Sequence, residues 1–480
     1  MNDELKQLYR ELGYLGPLPG DEPRRRGGEL EQSHELPPLD EPGLREIENL
    51  WRDQPEAVLR FFKNKYPLTN KAVHNTIVEA REAFDDPGAF LEKRHAKRSR
   101  GQKDKVPAEL IQFPEITIDP ASHRFEPKAD ALRWFFNTGY FVIRPKLHIN
   151  FSKASFPLHS DFASGFKYEM KDRQGRAFDP EQKISIALFS DFGTGLDHSR
   201  YIAKHFASFD PDYAIHLGDV YYAGRFSEFQ QHFIEPLAPA VQRSRFFSMN
   251  ANHEMFSGGI PYFDYLSQRR NAKAGWIAQE QEGSYFCIWN KKNQIIGIDT
   301  AFHADGRHNV TALNQWLDER LREGKSASPQ RTNILLSPNE PYILGSKEFS
   351  DLYRDLETFV QEKLIDFWFW GNTHYCTLFD KSAKAPFIGS CIGHSGHPIY
   401  KKDIEKDHAK HLELIRKGND IPPALWVDLS PKFPAWTKLR PDLANQGFCM
   451  LELEGDKIRL TYYDWLKNVQ HQAEFPQFSR

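Results

Sequence analysis

The chain has 480 residues, 40% hydrophobic and 14% aromatic, enough for a large core and more than one domain. Its 63 Lys and Arg against 66 Asp and Glu leave a net charge of -3, which argues against a dedicated nucleic-acid binder. Cys287, Cys376, Cys391 and Cys449 lie far apart in apolar stretches, so reduced core thiols are expected, not a disulfide scaffold or a cysteine zinc site.

The N-terminal MNDELKQLYRELGYLG has no apolar signal core, and no run reaches the roughly 20 apolar residues of a spanning helix. A soluble, cytoplasmic protein without membrane contact is expected. Residues 1 to about 110 read as a mainly helical extension, with helical apolar spacing at Leu44, Ile47, Leu50 and Trp51 and again in NKAVHNTIVEAREAF. Pro/Gly-rich breaks such as YLGPLPGDEPRRRGG separate the helical stretches. LEKRHAKRSRGQKDK follows, with seven Lys and Arg between Lys93 and Lys105, and reads as a solvated linker. Residues 111–182 form a connecting region of short strand-like pieces, among them GYFVIRPKLHINF.

From Lys183 the texture changes. KISIALFSD reads as a buried strand ending in Asp191, and the helical DHSRYIAKHFASF follows. DYAIHLGD ends in Asp219, RFFSMNANHE runs into Asn252 and His253, and DFWFWGNTH ends in His374. Strands alternating with helices predict an α/β fold over residues 183–480, with functional groups just beyond the carboxyl ends of the strands. Two carboxylates, an amide, a phenol and imidazoles at such ends suit Fe, Mn or Zn, and a cation between two aspartates removes their mutual repulsion.

The ordered set SDFGTG (190–195), GDVYY (218–222), NANHE (250–254), LLSPNEP (335–341) and GNTH (371–374) resembles the calcineurin-like metallophosphoesterases, most of all their purple-acid-phosphatase branch. The resemblance implies two mixed β-sheets flanked by helices and two adjacent metal positions. The first would use Asp191, Asp219, Tyr222 and His374, with Tyr221 as the competing phenol. The second would share Asp219 and use Asn252 with two histidines. Ser337-Pro338-Asn339 stands where the family has Ser-His-His, Asn372 replaces the first histidine of its GHxH motif, and Ala251 replaces the glycine of GNHE. The expectation is one firmly held transition metal and a weak or absent second divalent ion.

The implied function is cleavage of a phosphoester, monoester or diester, by metal-activated water, with His253 as general acid and Asn252 beside it. The loss of two second-position histidines implies weak or specialised activity. The competing reading is an inactive phosphoesterase-like domain that binds a phosphorylated ligand or a protein partner. His394 and His397, in GSCIGHSGHPIY, are candidates for the pocket rim, while His216 and His303 read as structural.

Overall fold

The computed structural model describes residues 153–179, 181–195, 197–269, 280–397, 399–430, 443–455 and 457–476, with the short N-terminal pieces 3–4, 7–8, 78–80, 82–83, 85–102, 111–113 and 116–118. The chain divides into two compact units, Met1–Gln112 with Asp119–Phe151, and Phe113–Ile118 with Ser152–Arg480. In the first, α1 (Pro87–Gln102) carries the basic stretch in helical form as far as Gln102, and Lys93 pairs with Glu82 at 2.7 Å. The expected helix around Leu44 to Trp51, residues 103–110 and the strand-like 139–151 lie outside the described residues.

The second unit carries the layered α/β architecture. The strands of its two large sheets begin with β1 (Lys167–Glu169), β2 (Ile184–Phe189), β3 (Tyr213–His216), β4 (Arg245–Ser248), β5 (Phe286–Trp289), β6 (Asn293–Gly297) and β7 (Thr332–Ser337). They continue with β8 (Phe367–Trp370), β9 (Cys376–Phe379), β10 (Ile388–Ile392), β11 (Ala424–Val427), β12 (Gly447–Glu454), β13 (Lys457–Asp464) and β14 (Val469–Pro476). An eight-stranded sheet has the order β11-β9-β10-β8-β7-β6-β5-β1, and a six-stranded sheet the order β14-β13-β12-β2-β3-β4. Both sheets are mixed. β8 runs parallel to β7 and β10 while β9 opposes β10. β2, β3 and β4 are parallel while β12 opposes β2.

Side-chain alternation explains the layering, because successive residues of a strand face opposite sides. In β8, Phe367 and Phe369 enter a core between the sheets with Ile186, Leu188 and Ile215 of the facing sheet. Trp368 and Trp370 face the other way, into a core with Leu313, Trp316, Leu317 and Leu321 of helix Thr311–Ser326. Trp368 is fully buried because its Nε1–H finds the Ser337 hydroxyl at 2.7 Å. On the other sheet, Phe189 turns outward against Phe206 of α2 (Asp197–Phe209), ring centroids 4.8 Å apart. The four cysteines are all free and buried. Among the described residues no helix is long and apolar enough to cross a membrane.

The parallel strands end level. Phe189 pairs with His216 and His216 with Ser248, and Trp370 pairs with both Ser337 and Cys391. The loops beyond these ends touch across the two sheets. A Cβ on Gly371 would lie 1.9 Å from the Ser190 hydroxyl, so only glycine fits that crossing.

Candidate metal centre

Asp191, Asp219 and His374 leave three different strand ends and bring one ligand atom each to within 4.8 Å of one another. The backbone at these residues is left-handed, with φ of 58° at Asp191, 70° at Asp219, 61° at Asn372 and 61° at His374. Asp and Asn tolerate this region, but His374 holds a conformation worth of order 1–3 kcal/mol of strain. The surrounding hydrogen bonds fix it. The Asn372 N–H donates to Asp191 Oδ2 at 3.0 Å, and the Asp191 N–H to the Gly218 carbonyl at 3.0 Å.

Both aspartates are buried. Burial, then the neighbouring Asp219, pushes the Asp191 carboxyl well up, and burial pushes Asp219 up to about 7. Among the described residues no lysine or arginine pairs with either. Burial, and then His253, lowers His374 to about 3, so its imidazole is neutral at pH 7, the form that ligates a metal.

The phenol in the cluster is that of Tyr221. Its hydroxyl donates to Asp191 Oδ1 at 3.0 Å and lies 3.4 Å from Asp219 Oδ2 and 2.6 Å from His374 Nε2. The family spacing nominates Tyr222 instead. That ring is buried with its centroid 5.8 Å from Tyr221's, and the Tyr222 carbonyl accepts a hydrogen bond from His253 Nδ1 at 2.7 Å. The turn after Asp219 decides which neighbour faces inward, and residue spacing carries no information about that rotation.

Asn252 opens the short helix α3 (Asn252–Phe256), and its Oδ1 is buried without a hydrogen-bond partner. A buried carbonyl oxygen left unpaired is costly unless a cation or ligand completes it. This oxygen and the close carboxylate pair fit a metal. The His253 N–H donates to Asp219 Oδ1 at 3.3 Å, and its ring sits 4.0 Å from that of Tyr221. A carbonyl can only accept, so Nδ1 of His253 carries the hydrogen in its bond to Tyr222.

Glu254 is a positioning residue that residue-type reasoning passes over, although it closes the quoted NANHE. Its carboxylate accepts N–H bonds from Asp219 at 3.2 Å, Val220 at 3.0 Å and Ala251 at 3.1 Å, joining two of the loops. Ala251 in place of glycine is accommodated for a local reason. Its φ of -121° suits any residue, and Gly218, at φ 106°, leaves room for its methyl; a Cβ on Gly218 would lie 2.7 Å from it.

At the positions of the absent histidines, other contacts are made. The Pro338 carbonyl accepts the Gly371 N–H at 3.1 Å. Asn339 Oδ1 accepts the Thr300 hydroxyl at 2.6 Å. Asn372 Nδ2 donates to Glu340 Oε2 at 3.2 Å. His397 is buried with its ring stacked on His374 at 4.1 Å and 4.6 Å from Tyr221, so this end of the glycine-rich turn borders the cluster. His394 is buried, and burial lowers it to about 3. His216 is fully buried between Phe189 and Phe233, and His303 is exposed against Phe156, both apart from the cluster's contacts.

Residues 184–376 match the family model described as calcineurin-like phosphoesterase. Among solved structures, the chain is similar to GAP50, the anchor in the inner membrane complex of Plasmodium, with a TM-score of 0.46 and 11% identity over 62% of this chain and 89% of that one. It is also similar to purple acid phosphatase PPD1 from yellow lupin (Lupinus luteus) seeds, with a TM-score of 0.42 and 12% identity over 63% of this chain. The match spans 55% of the lupin protein's length. A third likeness is to PhoD, with a TM-score of 0.39 and 12% identity over 61% of this chain and 68% of that one. No curated protein matches in sequence.

Proposed function

We propose, from the premise that residues 184–376 form a calcineurin-like phosphoesterase domain, that the chain is a metal-dependent hydrolase of phosphoesters. The observation that carries this reading is the convergence of Asp191, Asp219 and His374 at strand ends, with two buried carboxylates that no lysine or arginine pairs with among the described residues. These three residues would hold one ion, Fe, Mn or Zn, with the Tyr221 phenol beside it. Such an ion supplies positive charge to a phosphoryl oxygen and lowers the pKa of water from about 15.7 towards 7.

The protein's own groups do the rest. Glu254 holds the Asp219 and Ala251 backbones in place. His253, with Nδ1–H fixed on a carbonyl, would deliver a proton from Nε2 to the leaving oxygen. A small phosphoester or a phosphoprotein is the proposed substrate class, with nucleic acid disfavoured by the net charge of -3, and the cytoplasm the proposed location.

The test is hydrolysis of p-nitrophenyl phosphate and bis(p-nitrophenyl) phosphate by the chain stripped and refilled with Mn2+, Zn2+ or Fe. Activity that falls about 10²–10⁴-fold in His253→Gln and vanishes in Asp191→Asn supports the reading. A second reading, a non-catalytic domain that binds a phosphorylated ligand or protein partner, is favoured by Pro338 and Asn372 at the histidine positions. Phosphate binding without turnover under any metal would select it and overturn the first.

A further inference from the structure

The turn Gly393-His394-Ser395-Gly396-His397, after β10, is tied to the loop that carries Asp191. The Ser395 N–H donates to the Ser190 carbonyl and the Thr194 hydroxyl to the Gly396 carbonyl, both at 3.1 Å. A Cβ on Gly396 would lie 2.5 Å from the Asp191 carbonyl, so glycine is what lets the turn come this close. At the end of the turn, Gln446 Nε2 donates to the His397 carbonyl at 3.0 Å. These contacts deliver the buried His397 ring to the side of the cluster.

The ring centroid of His397 lies 4.1 Å from that of His374 with the planes 30° apart, and 4.6 Å from that of Tyr221 at 42°. Tyr221 also meets the His253 ring, at 4.0 Å. Four rings from four separate segments thus touch in one contiguous series. Two of them, His374 through Nε2 and Tyr221 through its hydroxyl, reach Asp191 Oδ1 at 3.3 and 3.0 Å. A hydrogen bond at one atom of a ring fixes its direction but leaves its tilt free, and a second ring laid against its face removes that freedom. A ligand whose orientation is set before the ion arrives binds it more tightly. We propose that His397 is a positioning residue of the candidate metal centre, its ring packing on His374 and Tyr221 and holding both in the planes in which they meet the ion. The role asks for a flat ring and not for a nitrogen. The inference rests on the reading of Asp191, Asp219 and His374 as an ion site.

The experiment is a Co2+ titration of the full, metal-stripped chain, since the visible ligand-field absorption of Co2+ reports the geometry of its ligands. His397→Leu fills the space without a flat ring. It is expected to weaken Co2+ binding about 10–100-fold and to shift the absorption band, while the metal-free chain stays folded by circular dichroism. His397→Phe restores a ring and should bind within about threefold of wild type with the wild-type band. It also carries the test alone should His397→Leu fold poorly, because a role for the His397 nitrogens as ligands predicts loss there. Wild-type affinity and spectrum in His397→Leu would overturn the inference, as would loss in His397→Phe equal to that in His397→Leu. Either result leaves the hydrolase reading standing, whereas a wild-type chain that takes up no Co2+ overturns both.

Discussion

At the scale of single residues, the centre is a set of unfavourable choices held in place by neighbours. Asp191 and Asp219 are buried carboxylates facing each other, and His374 is a left-handed histidine. Removing one charge should therefore relieve the metal-free protein while weakening the hold of the proposed site on an ion. Metal-free Asp191→Asn is expected to unfold at a higher temperature than metal-free wild type, yet to bind no ion, as differential scanning calorimetry with and without Mn2+ would read. The tyrosines separate in the same way. Tyr221→Phe should cut metal affinity or turnover about 10–100-fold, because its hydroxyl lies within hydrogen-bond reach of Asp191 and His374. Tyr222→Phe should change them less than about threefold. The reverse order would restore the spacing rule. Glu340 lies in LLSPNEP, but a glutamate between Asn339 and Pro341 has no signature in one sequence, and only the fold brings the Asn372 side chain to it.

At the scale of elements, each strand is legible because its side chains alternate between two apolar layers. Phe-Trp-Phe-Trp in β8 divides its rings between the intersheet core and the helix layer. Leu317, fully buried in helix Thr311–Ser326, should cost about 2–5 kcal/mol on truncation to alanine, read by denaturant unfolding. A polar clamp joins the loop before this helix to the helix Asp351–Asp355. Arg307 grips Asp355 through two hydrogen bonds of 2.8 and 2.7 Å, and the His308 N–H adds a third at 2.9 Å. Burial raises the Asp355 carboxyl, but these bonds outweigh it and hold it below its usual range. A depressed carboxylate stabilises the fold above its unfolded pKa of about 3.9 and loses that contribution as pH falls through the lower folded value. Asp355→Asn should thus be less stable than wild type by about 1–3 kcal/mol at pH 7, with the gap closing below about pH 4. A gap independent of pH would assign the loss to packing.

At the scale of the whole molecule, the two sheets place their carboxyl ends together, and the candidate metal cluster lies where loops from both meet. β2 and β3 of one sheet supply Asp191 and Asp219, while β8 of the other leads to His374. A cation held there binds the folded state alone. An ion at 100 times its dissociation constant should stabilise the unit by about 2.7 kcal/mol, and chelation should lower the unfolding temperature accordingly. An unfolding temperature unmoved by chelator after metal loading would argue against the centre.

The sequence by itself determined the strand–helix alternation from Lys183, the strand ends that carry Asp191, Asp219 and His374, and the reduced state of four buried cysteines. These are local matters of apolar periodicity and residue type, written in neighbouring letters. Only the tertiary structure decided that the Tyr221 hydroxyl meets Asp191 and His374, that Glu254 ties two loops together, and that Asn372 reaches Glu340. Those outcomes depend on backbone rotation at strand exits and on contacts between residues 30 to 180 positions apart, for which a single sequence holds no distance information.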